Sequence, residues 1–284
     1  MVRERLSKKK LFLFDMDGTI YLDGNIFDGT LDMLDYIKQI GGKAVFVTNN
    51  SSKNVHGYIE RLKKMGITAT EDDFMTSINV TGMYLQRHHK AGKIYVFGTK
   101  ALVSALKEDY HLPVTTEYED DITCLLIAFD TELTFQKLED ASRLLLTKPE
   151  IAYIATNPDY VCPREFGCVP DCGSIAQALC NATGRMPKVM GKPEAQMALA
   201  AMEKYGYKKE ETVIIGDRVY TDITCGVNAG VTSVLVLSGE STMQTVEESV
   251  IKPDIILKNI REMHTILIGG EYRHGSDKKR KEII

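Results

Sequence analysis

The chain has 284 residues, 44% of them hydrophobic and 26% charged, with a formal net charge of −4. Such a length fits one or two domains, and the composition is that of an ordinary globular protein rather than a disordered or fibrous one. The balance offers no basic surface for nucleic acid, no 18-residue apolar run could span a bilayer, and no charged segment leads into an apolar stretch of signal-peptide length, so a cytoplasmic protein without nucleic-acid or membrane partners is expected.

The basic runs Lys8-Lys9-Lys10 and Lys278-Lys279-Arg280-Lys281 lie near the two ends and read as solvated tails. Leu11-Phe12-Leu13-Phe14, four large apolar residues bounded by charge, predicts a buried parallel strand. It runs into Asp15-Met16-Asp17-Gly18-Thr19, which places two carboxylates where open α/β sheets bind ligands, with Gly18 letting the backbone turn. That is a place for chemistry on a phosphate, although a polar turn after a strand is the competing reading of the motif alone. A calcium loop is excluded, because its register needs glycine at Ile20 and glutamate at Ile26.

Asp28 then caps a predicted helix whose apolar face is Leu31, Leu34 and Ile37, ending before Gly41-Gly42. A strand from Lys43 to Val47 leads into Thr48-Asn49-Asn50, and a helix from Val55 to Met65 stops at Gly66. Strands Ile94 to Phe97, Cys124 to Phe129 and Ile151 to Ala155 follow, alternating with helices Ala101 to Leu106 and Leu133 to Leu146. Gly191-Lys192-Pro193 precedes a helix from Glu194 to Tyr205, and Val213 to Ile215 runs into Gly216-Asp217-Arg218-Val219-Tyr220-Thr221-Asp222. A helix from Ile223 to Ala229 and a strand from Ser233 to Leu237 close the series. Alternation of this kind predicts βαβ units and a mostly parallel sheet.

The middle block interrupts that series and is long enough to bury a core of its own. The expected organisation is a discontinuous Rossmann-like core, residues 1–79 and 185–284, with an inserted α/β domain over residues 80–184. Two chain crossings would join them, which suits a lid. Four of the six cysteines, Cys162, Cys168, Cys172 and Cys180, fall in one segment of that block, but their spacing lacks the two close pairs of a structural zinc site. Reduced, mostly packed thiols are expected. Gly191-Lys192-Pro193 is not a P-loop, since proline stands where serine or threonine is required.

Singly, Lys192 reads as a surface lysine, Thr48 as a strand end, and Asp217 with Asp222 as a capping pair. Taken in order, the Asp15-x-Asp17 pair, Thr48, Lys192 and the Asp217/Asp222 pair resemble the haloacid dehalogenase superfamily over almost the whole chain. The insertion point corresponds to that superfamily's C2-type cap, and Thr156-Asn157-Pro158-Asp159 resembles the NagD-like branch, subfamily IIA. One departure is Pro170-Asp171-Cys172-Gly173-Ser174, where the branch commonly has glycine at the position of Asp171, so a changed pocket is expected.

The resemblance implies a Mg²⁺-dependent phosphatase of small phosphorylated metabolites: sugar phosphates, nucleoside monophosphates or p-nitrophenyl phosphate. It makes Asp15 the nucleophile that becomes an aspartyl-phosphate, and Asp17 the acid and then the base. Asp15, Asp217 and the Asp17 backbone carbonyl are the implied Mg²⁺ ligands, with Asp222 supporting them. Thr48, Lys192 and the N–H groups of Gly18 and Asn49 are the implied phosphate contacts. Asn157 and Asp159 are candidate substrate contacts, although Asn-Pro-Asp is equally ordinary turn chemistry. A homodimer is a family-level possibility.

Asp17 argues against a dehalogenase, and the short Ile20 to Lys43 gap argues against a phosphomutase with the helical cap. A P-type ATPase would need membrane helices. The alternative of another class is a binding or regulatory protein that keeps a phosphate pocket without turnover.

Overall fold

A computed structural model describes residues 2–51, 55–164 and 166–270; the Lys278 to Lys281 run lies outside the described residues. The first sheet runs in the order Ile255–Leu257, Thr232–Val236, Thr212–Gly216, Leu11–Phe14, Lys43–Thr48, Phe74–Thr76, with every neighbouring pair parallel. From Leu11–Phe14 the chain builds outward on one side, and later returns to fill the other. The strand order therefore reverses beside Leu11–Phe14, and sheets wound this way open a crevice beyond their carboxyl ends at that point.

Leu11–Phe14 is buried along its whole length because both faces of the sheet are covered. Successive side chains point to opposite faces. Phe12 and Phe14 pack with Met33, Ile37, Ile215 and Met263, whereas Leu11 and Leu13 join the opposite cluster with Val45, Ile214, Met197 and Ala201.

The second sheet is also parallel, in the order Lys188–Val189, Ala152–Ala155, Ile122–Ile127, Lys93–Phe97, Val114–Thr115. Helices Phe135–Thr147 and Cys172–Thr183 bury Leu144, Ile175 and Leu179 against Tyr95, Phe97, Leu125 and Ile127. On the other face Ile94, Val96, Leu126 and Ile154 belong to the same cluster as Leu11 and Leu13, which also takes in Ile78, Val80 and Leu85 of the Ser77–His88 helix. An antiparallel hairpin, Val161–Arg164 with Gly167–Pro170, leads out of the second sheet. The α/β class with a parallel-sheet core is the one the sequence predicts. Among the described residues no helix is long and apolar enough to cross a membrane.

Three local expectations need correction. Gly29, not Asp28, is the N-cap of the Thr30–Gln39 helix, because the Asp28 carboxylate is drawn to Arg261 Nε at 2.8 Å. The buried face of that helix is Met33, Leu34 and Ile37, and Leu31 is 44% exposed. The Lys8 to Lys10 run is no solvated tail, since it leads straight into the first strand: Lys9 is buried and donates to the Glu210 carbonyl at 2.8 Å, and burial pulls its pKa down.

Candidate active site

Asp15 continues the ladder of the central strand, its N–H donating to the Ile215 carbonyl at 2.8 Å. The chain then turns sharply, with Gly18 at φ 83° donating its N–H to the Tyr21 carbonyl at 2.8 Å. A Cβ at Gly18 would stand 2.5 Å from Asp217 Oδ2, so only glycine lets this turn lie against the neighbouring strand end. The turn engages the Gly18 N–H, so the phosphate contact expected of it is not offered here.

Lys192 arrives from the segment ahead of the Gln196–Tyr205 helix and is held by Asn49. Its N–H donates to Asn49 Oδ1 at 2.8 Å, and Asn49 Nδ2 donates to its carbonyl at 2.9 Å. The contact is close enough that a Cβ on Gly191 would meet Asn49 Oδ1 at 2.6 Å and the Thr156 carbonyl at 2.8 Å. The side chain, 3% exposed, ends between two carboxylates: Nζ lies 2.5 Å from Asp15 Oδ1 and 2.6 Å from Asp222 Oδ1.

Asp222 stands on a π-helical turn, Val219–Ile223, of the kind that recurs at functional sites. Its second oxygen accepts from the Arg218 N–H at 3.1 Å, so the protein supplies a donor to each oxygen. Asp217 differs. Its Oδ2 accepts from the Glu240 N–H at 2.7 Å, but Oδ1 is buried with no hydrogen-bond partner among the described residues. Asp15, Asp217 and Asp222 each bring one carboxylate oxygen within 4.8 Å of the others.

Burial opposes charge throughout this cluster. It pushes the Asp217 carboxyl up to about 6, with the Asp222 carboxylate adding to the effect. Burial raises Asp15 as well, against the pull of the Lys192 ammonium. Burial also works against the Lys192 charge, but Asp15 and Asp222 outweigh it and hold the ammonium above the ordinary lysine range. Three carboxylates gathered about one buried ammonium leave an excess of negative charge, and among the described residues no donor answers Asp217 Oδ1. An all-oxygen donor set of this kind fits a hard divalent cation.

The remaining predicted residues divide. Thr48 ends its strand with Oγ1 accepting from the Asn50 N–H at 3.2 Å. Asp159 reaches the core, accepting from Asn49 Nδ2 at 3.1 Å. Burial raises its carboxyl, and the Asn49 bond, Lys192 and Arg218 oppose that. Asn157 is fully buried: Nδ2 donates to the Asn49 carbonyl at 3.1 Å and Oδ1 accepts from the Asp159 N–H at 3.0 Å. Its amide ties the two sheets together, and the bond to the Asp159 N–H is the turn chemistry that stood as the competing reading. Asp171 caps the Cys172–Thr183 helix. Cys124, Cys168, Cys172, Cys180 and Cys225 are thiols outside any disulfide; Cys168 is exposed, and burial pushes the thiols of Cys124, Cys172 and Cys225 up to about 12.

Asp17 stands outside the carboxylate cluster, its side chain 57% exposed, with Arg61 Nη1 3.6 Å from Oδ1 and the Tyr21 hydroxyl donating to Oδ2 at 3.3 Å. Arg61 and Tyr21 went unread in the sequence, as did Arg218, which pairs with Glu240 at 2.8 Å, and Ser238, whose hydroxyl donates to the Gly18 carbonyl at 2.8 Å. The signal for the last three was position alone: Arg218 follows one strand of the switch point, and Ser238 and Glu240 follow the next.

A sheet of this winding, with carboxylates gathered around a buried lysine at the reversal of strand order, brings together the groups that chemistry on a phosphate ester requires. The family described as haloacid dehalogenase-like hydrolase matches residues 12–110, and a second HAD-hydrolase-like description matches residues 189–263. An acid sugar phosphatase of Staphylococcus aureus is 31% identical over 257 residues, 90% of this chain and 97% of that protein. A 4-nitrophenylphosphatase from Thermotoga maritima superposes with a TM-score of 0.85 at 37% identity, covering 93% of this chain and 99% of that one. NagD from E. coli K-12 gives 0.81 at 28% identity, with 89% and 98% covered. The chain belongs to the haloacid dehalogenase-like hydrolases and, among them, to the NagD-like phosphatases.

Proposed function

We propose that the protein hydrolyses small phosphomonoesters, among them sugar phosphates, nucleoside monophosphates and p-nitrophenyl phosphate, in a Mg²⁺-dependent reaction through a phosphoryl group carried on Asp15. The observation that carries this reading is the buried Lys192 ammonium between the carboxylates of Asp15 and Asp222, together with an Asp217 oxygen that has no hydrogen-bond partner among the described residues. The likeness to an acid sugar phosphatase and a 4-nitrophenylphosphatase supports the substrate class.

In the first half-reaction an Asp15 oxygen bonds to phosphorus as the ester P–O bond breaks, and Asp17 gives its proton to the departing oxygen. In the second, water attacks phosphorus, Asp17 takes its proton, and the Asp15–phosphorus bond opens to release inorganic phosphate. Lys192 sits where negative charge builds on the phosphoryl oxygens, and the Thr48 hydroxyl and Asn49 N–H are the neutral donors to them. The side chains of Asp15 and Asp217 and the backbone carbonyl of Asp17 would hold Mg²⁺, which when bound offsets the negative charge of nucleophile and phosphate. Asp222 keeps Lys192 in place.

Residues 80–184 act as the cap, whose Asp159 carboxylate meets Asn49 beside the site. A cap in contact with Asn49 excludes large substrates and bulk water. Phosphate release from a panel of small phosphomonoesters, with Mg²⁺ or with EDTA, tests the reading. Release that depends on Mg²⁺ is expected; no release from any ester would favour a phosphate-binding protein instead.

A further inference from the structure

We infer that Arg61 and Tyr21 are positioning residues for the acid–base step, fixing the carboxylate of Asp17 from both of its oxygens. The inference rests on the phosphatase reading and on Asp17 as its acid. The two aspartates of the strand end are held very differently. Asp15 is pinned by a buried ammonium, whereas Asp17 sits on a turn with its side chain 57% exposed. An exposed carboxylate samples several rotamers. Proton transfer needs an acid within hydrogen-bond reach of the departing oxygen, so a wandering Asp17 would be a poor one.

The neighbours of Asp17 remove that freedom. Tyr21 is 0% exposed and so is a fixed post, and its hydroxyl donates to Asp17 Oδ2 at 3.3 Å. The Arg61 guanidinium lies 4.5 Å from the centroid of the Tyr21 ring and 3.6 Å from Asp17 Oδ1. Cation–π contact and ion pair thus hold the guanidinium from two directions. Arg61 is carried on the Val55–Lys64 helix, which is anchored by buried Tyr58 and Leu62, while Lys63 and Lys64 of the same helix are exposed. An exposed ion pair of this length contributes little to stability, so its presence beside the acid is not explained by folding.

The step affected is the first one, in which the Asp17 proton moves to the ester oxygen as the P–O bond breaks and the Asp15–phosphorus bond forms. A sugar or glycerol phosphate loses an alkoxide and needs that proton. p-Nitrophenyl phosphate loses a stabilised phenolate and does not. The value of kcat/KM reports this step without the later hydrolysis, which both esters share.

The experiment compares kcat/KM for glycerol 1-phosphate and p-nitrophenyl phosphate in the full chain and in Arg61→Gln, Tyr21→Phe and Arg61→Lys. General acid catalysis is worth about 10²–10⁴-fold, and loss of alignment with the acid still present should remove part of it. Arg61→Gln and Tyr21→Phe should each lower kcat/KM for the alkyl ester by about tenfold to thirtyfold and for the aryl ester by at most about threefold. Arg61→Lys keeps the charge without the planar fork and should recover part of the loss. Equal losses on both esters, or no loss on either in both variants, would overturn the inference. Failure of the unaltered chain to release phosphate from either ester would overturn the phosphatase reading itself, and the inference with it.

Discussion

Replacing Lys192 with methionine removes one charge and leaves a side chain of similar length in its place. Lys192 is 3% exposed and its ammonium makes two charge-assisted contacts, at 2.5 Å to Asp15 and 2.6 Å to Asp222. Removing one partner of a buried ion pair typically costs about 3–5 kcal/mol, because the remaining charge is buried without compensation. Here two carboxylates would be left together, and Asp15, whose carboxyl burial already raises, can escape part of the cost by binding a proton. The loss of stability should therefore be smaller near pH 5 and approach the full range near pH 8. Activity should fall more uniformly, since removing a single preorganised donor at a site of developing charge costs about 10²–10³ in kcat. The chain has no tryptophan, so urea unfolding is followed by circular dichroism, alongside steady-state phosphate release in Mg²⁺. An unfolding midpoint at pH 8 equal to that of the unaltered chain, or retention of more than about a tenth of kcat, would refute the assignment of Lys192 as the buried counter-charge.

Three further outcomes are expected. Asp217, raised from 3.8 to about 6, binds more protons folded than unfolded between those values, so without metal its contribution worsens as pH rises from about 4 through 6, by about 3 kcal/mol in all. In EDTA, urea unfolding should show Asp217→Asn gaining stability over the unaltered chain across that window, and a gap that shrinks with pH would contradict this. Asn49→Ala removes bonds to both ends of Lys192 and to Asp159 and should destabilise by about 1–3 kcal/mol, with kcat falling as Lys192 loosens; melting curves and phosphate release check both. Leu13→Ala opens a cavity in a fully buried strand and should cost about 2–5 kcal/mol, read from urea midpoints, while the metal dependence of the residual activity stays the same.

The central strand and its aspartates were legible because four buried large apolar residues and an Asp-x-Asp turn carry their meaning locally. The helix Ser77–His88 was not, because Ser77, Thr81 and Gly82 share its buried side with Ile78, Val80 and Leu85, and small and polar residues among the apolar ones blur the helical period. The hairpin Val161–Arg164 with Gly167–Pro170 was hidden for a related reason, since no alternation of apolar and polar residues marks it. Asp222 could be paired with Asp217 from the sequence, but its meeting with Lys192 depends on a π-helical turn. Arg61 carried no signal of its own in the sequence; only the fold sets it against Tyr21 and Asp17. Asn157 was legible as a special residue but not in its role, because the bond from its amide to the Asn49 carbonyl crosses 108 residues of sequence.

Whether the phosphoryl group passes through Asp15 can be read directly. The protein is mixed with excess p-nitrophenyl phosphate and Mg²⁺, quenched in acid within milliseconds, digested, and the peptide that contains Asp15 weighed by mass spectrometry. A phosphoryl adduct on Asp15, present during turnover and absent from Asp15→Asn, is expected. Turnover with no adduct at any quench time, or with the adduct on another residue, would contradict covalent catalysis by Asp15.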